Sequence, residues 1–205
     1  FPKVNLANQA LLKNIEIKTL NSGLVSSDFD LNLDSSDQVS QKLTPAAVLI
    51  AIQEIDGSLH ILLTKRSSNL KNHPSQISFP GGKRDTCDLS LKITALREAN
   101  EEVGLSPNLV TFIGSLPNHE TVTGFDVKPY LGFINGPFKA TINKFEVEEL
   151  FTVPLEHLLN LENFYIESRK WQNKDRFYYT IPYGPHYIWG ATARIIRSLA
   201  EIIAK

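Results

Sequence analysis

The chain is 205 residues long, 42% hydrophobic, with a formal net charge of −1 at pH 7. That length suits one domain with an extension rather than two full domains, and the apolar share supports a packed core. The near-neutral charge argues against a protein that grips nucleic-acid backbone, which is ordinarily basic.

The single cysteine, Cys87, excludes an internal disulfide and fits a reducing compartment. No run of eighteen or more apolar residues is present, so no membrane span is expected. The sequence shows no secretory leader and no peroxisomal Ser-Lys-Leu ending, which points to the cytoplasm.

In chain order, residues 7–17 read as a short helix with Leu6, Ala10, Leu11, Ile15 and Ile17 at its apolar positions. Residues 21–41, rich in Ser, Asp and Asn, read as a loop or a loosely ordered extension. The run 45–52 (PAAVLIAI) suits a strand buried on both faces. Asp56-Gly57 is a turn signal, and 60–64 (HILLT) completes a hairpin. Residues 65–78 are polar and irregular and carry Arg66, Lys71 and His73.

Residues 79–105 are the most informative stretch. Pro80, Gly81 and Gly82 make a turn-rich entry to a helix that Asp88 or Ser90 can cap. Gly104 stands where a left-handed C-terminal residue is wanted. Glu98, Glu101 and Glu102 recur at i, i+3 and i+4, so at about 100° per residue they share one side of the helix. Ile93, Leu96, Ala99 and Val103 fall opposite, as the buried face. Like charges at this spacing repel by about 0.2–0.5 kcal/mol per pair. Arg97 offsets part of that, and a hard divalent cation would remove it. A solvated acidic face is the plainer reading of the triplet alone.

Beyond the helix, 109–116 reads as a strand, 117–124 as a loop, and 125–134 as a strand interrupted by Pro129. A helix is expected over 153–161, two strands over 164–171 and 176–181 with a polar turn at 173–175, and a final helix over 189–204. On that last helix Ala193, Ile196, Leu199, Ala200 and Ile203 form one stripe. His73 and His119 lack metal-ligand spacing and default to loop histidines. Trp171, Tyr178, Tyr179 and Trp189 default to core positions rather than ring-stacking platforms.

Residues 97–105 (REANEEVGL) resemble the second half of the Nudix box, G-x5-E-x7-R-E-U-x-E-E-x-G-U, with Ala99 at the first aliphatic position. The spacing from Gly82 to Arg97 is one residue longer than the box prescribes. No Glu stands at the mid-box position, where Asp85 and Asp88 are the nearest acids. Residues 62–67 (LLTKRS) and 79–82 (FPGG) are similar to the signature of the family's coenzyme A pyrophosphatase branch, LLTxR[SA]-x3-R-x3-G-x3-FPGG. Lys71 replaces its Arg and Ser75 its Gly, and the longer box is typical of that branch. Stretches near Thr123, Glu146 and Ile188 also resemble the branch, so the likeness covers about 45–200.

The resemblance implies an α/β Nudix fold, a mixed sheet sandwiched between helices, over 45–205, with 1–44 an N-terminal extension. It implies a Mg²⁺- or Mn²⁺-dependent pyrophosphatase cutting CoA or acyl-CoA to 3′,5′-ADP and 4′-phosphopantetheine or its acyl form. The implied metal shell is Glu98, Glu101, Glu102 and the Gly82 carbonyl. Glu101 or Glu146 would activate water, with Glu120 a weaker candidate, and Arg97 would orient Glu101. Arg66, Lys71, Lys83 and Gly81 would meet the substrate. The expected partner is a CoA-like nucleotide, with no nucleic acid and no membrane; a homodimer is left open. Two alternatives remain: a Nudix hydrolase of ADP-ribose, a dinucleotide or a nucleoside triphosphate, and a non-catalytic Nudix-fold binding module.

Overall fold

The computed structural model describes residues 4–20, 23, 25–32, 42–69, 74–171 and 174–205. Its elements in chain order are α1 (Leu6–Leu20), β1 (Ser26–Ser27), β2 (Thr44–Ile55), β3 (Ser58–Arg66), β4 (Ile77–Ser78), β5 (Gly81–Lys83) and α2 (Leu91–Val103). There follow β6 (Val110–Ser115), β7 (His119–Glu120), β8 (Phe125–Ile134), β9 (Val147–Pro154), α3 (Leu155–Leu159), β10 (Tyr165–Trp171), β11 (Lys174–Tyr183), β12 (His186–Trp189) and α4 (Gly190–Ala204).

The main sheet runs β1-β7-β8-β2-β3-β4, with β5 on β2, β6 on β8 and β9 on β3. Strands β2 and β8 are parallel, and β2 and β3 form an antiparallel hairpin. The hairpin turns through Asp56 (φ 49°) and Gly57 (φ 79°), the left-handed pair a tight two-residue turn requires. Alternate residues of β2 enter two cores. Ala46, Ile50 and Ile52 pack with α1, α3 and α4, while Ala47, Leu49 and Ala51 pack with Ala95, Ala99 and Val103 of α2. A strand covered on both sides has no polar face, which explains the unbroken apolar run. The expected mixed sheet between helices is the fold observed.

Several expectations need correction. Helix α1 exposes Leu6 (84%) and Ile17 (55%); it buries Ile15 as expected, together with Leu12 and Thr19. Gly114 on β6 leaves room for Thr19, whose hydroxyl oxygen would collide with any Cβ there. The polar stretch 21–41 is not all loop, because β1 pairs in parallel with β7. Pro129 does not interrupt β8. It sits just beyond the β6–β8 ladder, where a missing N–H is tolerated, and its carbonyl still accepts from the Leu116 N–H at 3.0 Å. Strand β12 was not foreseen, and the last helix begins at Gly190.

His119 is fully buried rather than a loop residue; it contacts the Ser26 hydroxyl at 2.9 Å and Asp28 at 3.1 Å. Tyr178, Tyr179 and Trp189 are half-buried and line a cavity; Tyr179 also packs against the main core, as expected. Lys71, His73, part of the predicted 173–175 turn and the Trp171 side chain lie outside the described residues.

Candidate active site

Helix α2 is fixed at both ends. The Ser90 hydroxyl accepts from the Ile93 N–H at 3.3 Å. Gly104 (φ 74°) closes the C-terminus, with its N–H on Asn100 O and the Leu105 N–H on Ala99 O. Ala95 and Ala99 are small, so the helix lies close on β2 and β8.

This rotation differs from the sequence expectation. Ile93 is 40% exposed, while Glu102 is only 2% exposed and belongs to the buried side. A carboxylate therefore points inward between α2 and the sheet. The Gly81 N–H reaches Glu102 at 3.3 Å, and an Arg66 nitrogen lies 3.9 Å from it. Burial pushes the Glu102 carboxyl up to about 8; Arg66 pulls it down, and Glu98 and Glu146 push it further up. Burial also raises Glu98, with Glu101 and Glu146 adding to that and Arg97 opposing it.

Asp88 does not cap α2. It is 3% exposed, accepts from the Thr94 hydroxyl at 2.9 Å, and takes Arg97 on both oxygens at 3.0 and 2.9 Å. Arg97 also reaches Glu98 at 2.9 Å, Glu101 at 2.9 Å and the Lys83 carbonyl at 3.3 Å. The arginine that could have been an ordinary surface pair is a junction between the 83–88 loop and two carboxylates. Sequence reasoning missed Asp88 in this role. The signal was its distance from Gly82, which is the distance the Nudix box gives its first Glu.

Strand β5 brings Gly81 and Gly82 alongside Val48 and Ala47 of β2. A Cβ on Gly82 would lie 2.6 Å from the Glu98 carboxyl carbon. Glycine is thus needed for the backbone to approach that carboxylate. Glu146 adjoins the cluster, as its charge acts on both Glu98 and Glu102, and Asn143 holds it at 3.1 Å. Glu120 lies apart on β7, where its carbonyl accepts from the Asp28 N–H. The Lys83 side chain is exposed, and Ser75 adopts a left-handed φ of 58°.

Among the described residues no three of His, Cys, Asp and Glu converge as a preformed metal cage; Arg97 engages Glu98 and Glu101 instead. The donor set still fits a hard divalent cation. It consists of carboxylate oxygens; burial is the first cause of the raised Glu98 and Glu102, neighbouring carboxylates add to the rise, and a cation would relieve that repulsion.

The NUDIX domain model matches residues 42–177. The chain belongs to the Nudix family. Its relatives include a protein of Enterobacter sp. described as an uncharacterized Nudix hydrolase NudL, 41% identical over 157 residues that cover 76% of this chain and 80% of the relative. A protein of the same description from Pectobacterium atrosepticum is 39% identical over 173 residues, covering 84% and 89%. A solved Ap4A hydrolase from C. elegans is 22% identical, with a TM-score of 0.46 over 54% of this chain and 80% of that one. The chain is a Nudix hydrolase, an enzyme of a pyrophosphatase family whose members use divalent metal ions and nucleotide-derived small molecules. No described helix is long and apolar enough to cross a membrane.

Proposed function

We propose that this Nudix hydrolase cuts the diphosphate of coenzyme A or acyl-CoA, yielding 3′,5′-ADP and 4′-phosphopantetheine or its acyl form. One observation carries the reading. The 62–67 motif ends β3 with Arg66 beside the buried Glu102, and the 79–82 motif delivers Gly81 and Gly82 to the same carboxylates. Ser75 supports it too, because it adopts a left-handed φ of 58°, a conformation that favours glycine, at the position where the branch signature has Gly.

Glu98, Glu101, Glu102 and the Gly82 carbonyl would hold Mg²⁺ or Mn²⁺. Bound there, the cation would neutralise phosphate charge and make water more acidic. The protein's own groups do the rest. Arg97 holds Glu98 and Glu101 in fixed rotamers through charge-assisted bonds. Glu101 or Glu146 accepts the proton of the attacking water. Arg66, whose guanidinium lies 3.9 Å from Glu102, would meet a phosphate oxygen. Lys71, Lys83 and the Gly81 N–H complete the substrate contacts. Residues 1–44 serve as an extension to the catalytic unit over 45–205, in the cytoplasm.

The test is product identification by mass after incubating the chain with CoA, acyl-CoA and ADP-ribose, each with Mg²⁺ or Mn²⁺. Release of 3′,5′-ADP from CoA is expected. Intact CoA beside faster cleavage of ADP-ribose would assign the enzyme to a different nucleoside diphosphate derivative, the reading that Lys71 in place of Arg favours.

A further inference from the structure

The segment between β8 and β9 carries Glu146. Thr141 and Asn143 donate their N–H groups to the Val103 and Glu102 carbonyls, each at 2.9 Å. Those carbonyls belong to the last turn of α2, which has no partners for them inside the helix. The segment is thereby latched to the helix that bears the carboxylates. From the other side the Ser67 N–H, next in the chain to Arg66, donates to the Glu146 carbonyl at 2.8 Å. Glu146 thus stands between the end of β3 and the end of α2, where its charge acts on Glu98 and Glu102.

Every polar group of Asn143 is engaged there. Its carbonyl accepts from the Glu146 N–H at 3.0 Å and the Val147 N–H at 2.8 Å. Its side-chain oxygen accepts from the Phe145 N–H at 3.2 Å, which shapes the turn. Its side-chain nitrogen donates to Glu146 Oε1 at 3.1 Å. Lys144 and Phe145 form an exposed apex, while Asn143 and Glu146 are half-buried. Among the described residues no second hydrogen bond reaches the Glu146 carboxylate.

We propose that Asn143 is a positioning residue: its side-chain amide holds the Glu146 carboxylate beside the carboxylates of α2, with one oxygen bonded and the other left to take a proton from water. This rests on the reading above in which Glu146 accepts that proton. A base acts only within hydrogen-bond reach of the proton it takes. A displacement of about 1 Å can cost about a hundredfold in rate. The neutral amide fixes the carboxylate and adds no positive charge beside it, unlike Arg97, which lies 2.9 Å from Glu101.

A double-mutant cycle of Asn143→Asp and Glu146→Gln tests this in the full chain. Steady-state rates are taken with Mg²⁺ on whichever of CoA, acyl-CoA and ADP-ribose the unsubstituted chain cleaves fastest. Aspartate keeps the oxygen that serves the Phe145 N–H and loses the donor to Glu146, so the turn should persist. In Asn143→Asp kcat should fall about tenfold or more with KM little changed. Glu146→Gln should lose about 10²–10⁴-fold, and the double variant no more than Glu146→Gln alone. A merely structural asparagine would slow the Glu146→Gln background by its own full factor. That result, or an undiminished kcat in Asn143→Asp, overturns the proposal and leaves Glu146 as the base. Full turnover in Glu146→Gln removes Glu146 from the chemistry, and Asn143 with it. Should Asn143→Asp not fold, Asn143→Ser takes its place, since a hydroxyl can serve the Phe145 N–H but is too short to hold Glu146.

Discussion

Arg97 grips Asp88 through both carboxylate oxygens, at 3.0 and 2.9 Å, with Asp88 almost wholly buried. The pair joins the loop after β5 to α2. Through it Arg97 is held where it can also fix Glu98 and Glu101. Removing one partner of a buried pair costs about 3 kcal/mol, since the other charge is left uncompensated. Asp88→Asn should therefore lower the urea midpoint clearly. It should also reduce kcat more than it raises KM, because Glu98 and Glu101 lose their anchor. A variant with full stability and activity would show that the pair holds nothing in place.

The same pair predicts acid sensitivity. Hydrogen bonds from Arg97 hold the Asp88 carboxyl well below the usual carboxylate range, against the opposing effect of burial. A carboxylate with a depressed folded pKa stabilises the fold above its unfolded value of about 3.9, and that contribution is lost as pH falls below it. The stability gap between the unsubstituted chain and Asp88→Asn should thus be full at pH 7 and narrow by pH 3. Urea unfolding at the two pH values measures it; a gap that does not change would count against the assignment.

Glu102→Gln should separate stability from turnover. The carboxylate is buried, and Glu98 and Glu146 repel its charge, so a neutral isostere costs the fold little at pH 7. Turnover with Mg²⁺ should fall by about 10²–10³-fold, the scale of losing one charge-stabilising group. Thermal melts beside steady-state rates check this. Near-normal turnover would remove Glu102 from the site.

Gly82→Ala places a methyl 2.6 Å from the Glu98 carboxyl carbon. That carboxyl ends a flexible side chain, so it can swing away with the fold kept. Activity is expected to drop at least tenfold with a Tm change of a few degrees at most. Gly81→Ala is the contrasting case. Its Cβ would strike the Ala47 carbonyl and lie 2.7 Å from Val48 Cα, both backbone atoms, so β5 itself should be displaced and stability lost.

His119 bridges the Ser26 hydroxyl and Asp28, and so ties the residue 26–32 segment to β7. His119→Ala should leave both partners buried without it, at a cost of about 1–3 kcal/mol. Hydrogen exchange should accelerate at the Ser26 and Asp28 amides, which bond to the Asn118 and Glu120 carbonyls. Unchanged exchange there would show that the backbone pairing suffices alone.

The elements most legible in the sequence were those with a local cause. The β2–β3 hairpin follows from an apolar run ended by Asp56-Gly57, and α2 from a Ser90 cap, a glycine stop and the Glu spacing between them. The family followed from the same stretch, since its motif is a short, ordered set of residue types. What spacing leaves open is the rotation of a helix about its own axis. Glu102 and Ile93 exchanged their expected surroundings because α2 seats its small residues, Ala95 and Ala99, against the sheet. That seating depends on β2 and β8, not on α2 alone. Asp88, His119 and Arg194 acquire their roles from partners 9, 93 and 91, and 164 residues away. No pattern along the chain encodes such meetings, because a buried charge is satisfied by whichever group the packed layers bring within 3 Å of it.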